Sequence, residues 1–303
     1  MAASSGARPI AQVICDESEV SEECEMLLRS LPKAKGWLGS SAPLYKYQGS
    51  WYYARILHGV ISTQQHFHPH PTDILLATIP KSGTTWLKAI AYSIVNRGGK
   101  SSAGGTGDNP LLTNSPHDLV PLLEINLYAG KPVPDLSSMP PPRLFASHLP
   151  ISKLPAAAFC KVVCLCRNPK DTFTSEWNFT NKLKVVGEEE TISIEEAFDM
   201  FCNGINAFGA YCGIAYWSTG RRAWRGLEDA KGVVDEMVKL CSFDRLSNLQ
   251  VNKSMNGKIN GVPNSIFFRR GNVGDSKNFL SSGMIDRLDR IVKDQFSPFG
   301  LEF

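Results

Sequence analysis

The stretch Ile79-Pro80-Lys81-Ser82-Gly83-Thr84-Thr85-Trp86 gathers a lysine, a glycine and three hydroxyls between an apolar run, Asp73 to Ile79, and a helix-length pattern, Thr85 to Asn96. Between a buried strand and a helix N-terminus, such a stretch makes an anion site. Backbone N–H groups and the positive helix end cradle phosphate oxygens, Gly83 admits close backbone approach, and Lys81 adds a mobile point charge. The loop is not a Walker A motif, because the glycine follows the lysine and G-x-x-x-x-G-K-[ST] is absent. The next apolar run ends in Arg167, where a Walker B strand would offer an aspartate to magnesium. A metal-dependent NTPase or P-loop kinase is therefore disfavoured. A simple Ser/Thr helix cap would explain Ser82 or Thr84 alone, but not the cluster.

Other chemistry-bearing residues read more plainly on their own. Cys164 and Cys166 form a C-x-C pair inside the apolar run Lys161 to Cys166, which predicts buried strand residues and no metal site. His66, His68 and His70 alternate around Pro69 without a cysteine or acidic ligand at matching spacing, and are expected on a solvated loop. Taken alone, His148 reads as a loop or core histidine and Arg269-Arg270 as a solvated charge pair. No metal is expected.

The elements that must position these residues follow from composition and pattern. A chain of 303 residues with 43% hydrophobic and 20% charged residues is long enough and apolar enough to bury a full core, which excludes disorder. The formal charge of +3 comes without a dense Lys/Arg block, so neither nucleic acid nor a membrane surface is an expected partner. No apolar run reaches the ~20 residues that span a bilayer, the start lacks a basic-then-apolar leader, and the eight cysteines follow no regular framework. Reduced thiols in the cytoplasm are expected. Residues 1–30, rich in Ser and Glu, are expected to be a flexible N-terminal segment, with residues 31–303 forming a single domain.

Two strand-loop-helix units stand out: the loop above, and Lys161 to Cys166 followed by Arg167-Asn168-Pro169 and a helix opening near Asp171. They predict an α/β fold with a central parallel β-sheet flanked by helices. Gly98 to Pro142, rich in Gly, Ser and Pro around the island LVPLLEINLYAG, is expected to be a long, mobile excursion over the active-site mouth. Further helices are expected at Ser193 to Ala215, Gly232 to Cys241 and Ser282 to Asp294, and no strand between Glu176 and Asn264.

A series of longer motifs runs through the chain from about Leu31: GWLGSSAPLYKYQGSWYYARILHGV, TIPKSGTTWLKAIAY, FASHLP, VCLCRNPKDTFTSEWNF, VVDEMVKLCSFDRLSNLQVNK and FFRRGNVGDSKN. In this order they resemble the soluble sulfotransferases, especially the plant cytosolic group that includes flavonol sulfotransferases. The resemblance implies the sulfotransferase (P-loop-like) fold and 3'-phosphoadenosine 5'-phosphosulfate (PAPS) as donor, with no metal. The implied acceptor is a hydroxyl on a small, mostly apolar molecule such as a flavonoid, steroid or hormone-like compound. It also implies roles for matched positions. His148 is the base that takes the acceptor proton, a task suited to an imidazole titrating near neutrality. Lys81 neutralises charge on the bridging oxygen as the 5'-phosphate departs, while Ser82, Gly83, Thr84 and Thr85 hold the phosphosulfate. Trp86 packs on the adenine, and Ser242 and Phe243 match adenine-side contacts, although Phe243 fits a core position equally well. Arg167 with Ser175 forms one half of a 3'-phosphate pocket, and Arg269, Arg270 and Gly271 form the other.

The chain departs from the family pattern twice. Relatives carry a strand and loop of the type LFLKYEEM and a further helix where only STGRRAWRGLEDAKG separates Trp217 from Val233. The fold is therefore expected to be one central strand short, and to lack the family's adenine-contacting tyrosine, so the rival reading is a catalytically impaired nucleotide-binding relative. Ser276 also stands where relatives have tryptophan, which predicts a less ordered loop.

Overall fold

A computed structural model describes residues 16, 20–96, 109–130, 133–154, 159–183, 191–209, 233–253 and 263–299. In chain order it contains α1 (Glu22–Ser30), β1 (Lys33–Gly36), β2 (Gly39–Tyr47), β3 (Ser50–Tyr52), α2 (Ala54–His66), β4 (Ile74–Thr78), α3 (Thr84–Val95) and the short α4 (Pro116–Leu119). There follow β5 (Leu144–Ser147), β6 (Lys161–Leu165), α5 (Pro169–Lys182), α6 (Ile194–Cys202), α7 (Val233–Leu240), α8 (Phe243–Asn248), α9 (Gln250–Lys253) and α10 (Ser282–Phe296).

The site is organised by a parallel sheet of order β5-β4-β6. Ile74-Leu-Leu-Ala-Thr78 has no polar interruption, as a strand covered on both faces requires, and all five residues are buried. Leu76 pairs with Ala146 on one side and Val163 on the other. Both predicted strand-loop-helix units are present, β4 into α3 and β6 into α5. The second opens with Asn168, whose side chain accepts the Lys170 N–H at 3.0 Å, and with Pro169 in the first turn, where a missing N–H costs nothing.

Several expectations are corrected. Cys164 is exposed and Cys166 only half-buried. Among the described residues β6 pairs on one side only, with β4, so its apolar run is not covered like that of β4. The strand expected to be missing between Trp217 and Val233 lies outside the described residues. In the segment assigned as flexible, α1 buries Cys24 and Leu28 in the main core. Its Ser and Glu content is a helix start: the Ser21 hydroxyl accepts the Cys24 N–H at 3.2 Å, and Glu22, Glu23 and Glu25 face the positive end of the dipole. The same core holds the antiparallel sheet β1-β2-β3, through Leu44, Tyr45 and Tyr52.

The helix expected to reach Ala215 stops at Cys202, because Asn203-Gly204 terminates it in the left-handed conformation (Gly204 φ 70°). Residues 210–215 of that expected helix lie outside the described residues. The described part of the Gly98–Pro142 excursion is no loose flap: Leu111, Val120, Leu123 and Glu124 are buried. At Gly59 the helix α2 meets this segment backbone to backbone, since a Cβ there would lie 2.0 Å from the Glu124 carbonyl oxygen. His66, His68 and His70 are exposed, as expected, but His66 ends α2 and only His68 and His70 lie on the loop after it. No helix among the described residues is long and apolar enough to cross a membrane.

Candidate active site

A cavity of about 730 Å³ is lined by the β4–α3 loop, by Arg167 and Ser175, by Arg269, Arg270 and Gly271, by Trp86 and Phe243, and by His148. Of the residues given a catalytic or donor-binding role in the sequence, only Ser242 does not line it; its hydroxyl caps α8 by accepting the Arg245 N–H at 3.3 Å. The loop is held by its own side chains. Ser82 donates its hydroxyl to the Ile79 carbonyl at 2.7 Å, and the Thr84 and Thr78 hydroxyls are 2.7 Å apart. With the Ser82 proton spent on the loop, an anion's hydrogen bonds there fall to first-turn N–H groups, Lys81 and the Thr85 hydroxyl. Lys81 (φ 63°) and Gly83 (φ 110°) both take left-handed backbone, the alternation that turns successive N–H groups into one concavity. The Lys81 amine lies 3.8 Å from the centre of the Phe179 ring. Burial lowers its pKa to about 7 against the pull of Glu176, with Lys182, Arg167 and Arg269 pushing the same way as burial.

His148 follows β5 and is buried. Its Nδ1 lies 2.8 Å from the Thr78 carbonyl oxygen, which can only accept, so Nδ1 carries the proton and Nε2 keeps its lone pair. Burial holds its pKa down to about 3, with the charges of Lys88 and Lys81 adding to the effect and the Thr78 carbonyl opposing it. The imidazole is thus neutral across the physiological range, not titrating near neutrality as expected from its type. The backbone N–H of His148 donates to Glu124 Oε1 at 2.7 Å, and Ser147 donates to Oε2 at 2.9 Å, so one buried carboxylate fixes the turn that carries the imidazole.

The arginines line the cavity from two loops. Arg167 donates to the Lys81 carbonyl at 3.2 Å and to the Asn272 carbonyl at 3.1 Å, tying the phosphate loop to the segment after Gly271. Arg269 and Arg270 share Asp275, the latter at 2.8 Å. Gly271 (φ 66°) is required where it stands, because a Cβ would lie 2.3 Å from the Phe243 ring. The loop expected to lose order at Ser276 has another anchor: the Asp171 carboxylate accepts the Gly274 N–H at 2.8 Å and the Ser276 N–H at 3.1 Å. Backbone donors do not depend on the side chain at 276, so the missing tryptophan leaves this tether intact.

The family model described as "Sulfotransferase domain" matches residues 71–225 and 223–300. The chain belongs to the sulfotransferase family. Its curated relatives place it in the plant cytosolic group. Cytosolic sulfotransferase 15 of Arabidopsis thaliana is 38% identical, with 95% of this chain and 89% of that one covered, and cytosolic sulfotransferase 12 is also 38% identical, covering 95% and 96%. The solved structure of an Arabidopsis thaliana putative steroid sulphotransferase superposes with TM-score 0.66 at 33% identity, covering 94% of this chain and 98% of that one. A mouse sulfotransferase solved with PAP matches with TM-score 0.62 at 18% identity, covering 84% and 95%. The two pieces of the family match meet at residues 223–225, inside the linker STGRRAWRGLEDAKG. The span aligned with cytosolic sulfotransferase 15 is 326 positions, longer than this 303-residue chain, so the alignment leaves gaps opposite the relative's residues.

In and behind the sulfotransferase cavity lie groups that type and spacing do not single out. His117 lies with its ring 4.0 Å from Phe267, its Nε2 2.8 Å from the Thr85 hydroxyl and its Nδ1 3.2 Å from the Lys88 amine. Burial, with the charges of Lys88 and Lys81 and with His148, lowers its pKa well below the ordinary imidazole value. Both ring nitrogens are engaged, so of the two cavity histidines His148 is the one with a nitrogen left for a substrate proton. Lys88 is fully buried, and burial brings its pKa to about 7 against the pull of Glu124 and Asp118. The available signal was a charged residue inside an apolar pattern, Lys88 in TTWLKAIAY and Glu124 in LVPLLEINL. On an amphipathic helix or loop that pattern reads as a solvated position, and only the tertiary fold turns these positions inward.

Proposed function

We propose that this sulfotransferase moves the sulfuryl group of PAPS to a hydroxyl of a small, mostly apolar acceptor in the cytoplasm. The observation that carries this reading is a single cavity lined by a phosphate loop, three arginines and the one histidine with a free nitrogen. One phosphate site would be served by the loop alone. A second cationic cluster of Arg167, Arg269 and Arg270 fits a nucleotide with phosphates at both 5' and 3' positions. The mouse neighbour and retinol dehydratase were both solved with PAP, and the curated relatives are named cytosolic, which supports the donor and the compartment. The donor supplies an activated sulfuryl group. His148 Nε2 receives the acceptor hydroxyl proton, Lys81 offsets charge on the departing phosphate oxygen, and the loop N–H groups hold the phosphate. Trp86 and Phe243, 47% and 37% exposed at the cavity, offer faces to a base.

The reading is tested by comparing PAP (3'-phosphoadenosine 5'-phosphate) with adenosine 5'-phosphate by titration calorimetry. PAP is expected to bind more tightly. Arg269→Ala is expected to cost PAP ~1.5 to 3 kcal/mol, the scale of a charge-assisted hydrogen bond, and to leave the nucleotide without a 3'-phosphate nearly unchanged. Equal losses for both ligands would remove Arg269 from the 3'-phosphate.

A pH dependence follows from Lys81. Its amine titrates at about 7 in the ligand-free protein, and an anionic ligand favours the charged form, so binding above pH 7 must take up a proton. PAP affinity is therefore expected to fall as pH rises from 7 to 9, by at most about tenfold per unit. Lys81→Met should flatten the slope, and a slope that survives in that variant would take Lys81 out of the proton uptake.

The rival reading, a relative that binds nucleotide without turning over, is favoured by one observation: the family match falls into two pieces at residues 223–225, where the family's strand and tyrosine are expected to be missing.

A further inference from the structure

One buried ionisable group in the cavity has no part in the transfer chemistry. Glu176, on α5, lines the cavity and is only 6% exposed, next to Ser175 and one turn before Phe179, on whose ring the Lys81 amine rests. Its hydrogen-bonding partner is Asn206, likewise buried, whose side-chain Nδ2 lies 3.2 Å from each carboxyl oxygen. Asn206 is set by a short segment pinned to β3: Ala207 bridges Trp51, and the Phe208 N–H donates to the Trp51 carbonyl at 2.8 Å. Phe208 packs edge-on against His148 with ring centres 5.1 Å apart. Three consecutive residues thus hold the partner of Glu176 and the ring neighbour of the base, which places the carboxyl on the acceptor side of the cavity. The same cavity is lined by Trp37, Leu38, Tyr53, Ile56, Leu122 and Ile125, an almost wholly apolar set.

Resting on the transfer reading above, we propose that Glu176 is the acceptor-recognition residue: it accepts a hydrogen bond from a second hydroxyl or N–H of the acceptor, at a distance from the hydroxyl presented to His148. The favoured acceptors are then apolar ring systems with two separated donor groups. A neutral carboxyl keeps acceptor capacity beside its one O–H donor, and the Asn206 Nδ2 reaches both of its oxygens without filling that capacity. Burying the remainder in an apolar wall is costly unless a ligand supplies the donor, and a site built this way discriminates strongly against an analogue lacking it. Burial also pushes the Glu176 carboxyl up to about 8, opposed by the Asn206 hydrogen bond and by Lys81, so near neutrality it enters the cavity largely uncharged and suits a neutral hydroxyl.

The test is equilibrium binding to the full chain loaded with PAP, using a dihydroxylated flavone or steroid and its analogue with the distal hydroxyl replaced by hydrogen. The dihydroxylated compound is expected to bind about 10- to 100-fold more tightly. Glu176→Leu should bring that ratio near one. Glu176→Gln, which keeps one acceptor oxygen and the volume, should retain part of it. Near pH 7, where the Glu176 carboxyl is largely uncharged, PAP affinity should stay the same in both variants. A ratio near one in the natural chain, or one unchanged in Glu176→Leu, would overturn the assignment. Loss of PAP affinity in both variants would also overturn it, by making the carboxyl a counter-charge for Lys81. Binding needs no turnover, so a discriminating but inactive chain would strike the transfer reading and leave Glu176 in place, while an active chain without discrimination would do the reverse.

Discussion

Replacing His148 with alanine is expected to lower kcat about a hundred- to ten-thousand-fold, the range for loss of a positioned general base, while PAP binds with nearly unchanged affinity. The split follows from the geometry. Nδ1 is committed to the Thr78 carbonyl at 2.8 Å, which orients Nε2 as the only ring nitrogen left for an acceptor proton. The other cavity imidazole, His117, is closed on both sides by Thr85 and Lys88 and cannot substitute without breaking one of those bonds. Saturating-donor kinetics and PAP calorimetry on the same preparation check the prediction, with His148→Gln as a companion that fills more of the vacated space. Residual turnover within tenfold of the natural chain would take His148 out of the base role.

Lys81→Met is expected to cost about a hundred- to a thousand-fold in kcat, the scale for removing one charge-stabilising donor from a water-poor site, and to weaken PAP as well. In the proposed reaction Lys81, unlike His148, has a part in both binding and chemistry, because the developing charge would sit on an oxygen that the loop also holds. Lys81→Arg should not restore the rate. The amine rests 3.8 Å from the Phe179 ring, and a planar guanidinium cannot occupy the same point while reaching the same oxygen. Pre-steady-state transfer rates for the two variants check this, and a Lys81→Arg variant with natural kcat would show that position-independent charge suffices.

Where a single local rule decided the structure, the sequence was readable. Ile74–Thr78 is uninterrupted and β-branched or aliphatic, so β4 followed from its composition, and Gly83 after Lys81 located the loop before any fold was known. β5 was passed over, since Leu144–Ser147 is four residues long and carries no periodicity of its own; pairing with β4 makes it a strand. Composition misled at α1, where Ser21 and three glutamates read as a solvated tail instead of a capped helix start. It misleads again at Cys164, which the apolar run around it marks as buried and which is exposed. Within the site, resemblance supplied the residue roles that type and spacing could not, because His148, Arg269 and Arg270 are individually ordinary. The groups around them, Glu124, Lys88, His117 and Glu176, were not legible: a lone charge in an amphipathic segment has the same local signature whether it faces water or a cavity.

The central claim is that the shortened chain still transfers sulfuryl groups. The most direct measurement follows labelled sulfate from PAPS to a panel of phenolic and steroidal hydroxyl compounds, with the natural full-length chain and no added metal. The account predicts labelled sulfate ester and free PAP in equal amounts, with both lost in His148→Ala. Tight PAP binding with no labelled product from any member of the panel would contradict it, and would identify the chain as a nucleotide-binding relative that has lost the reaction.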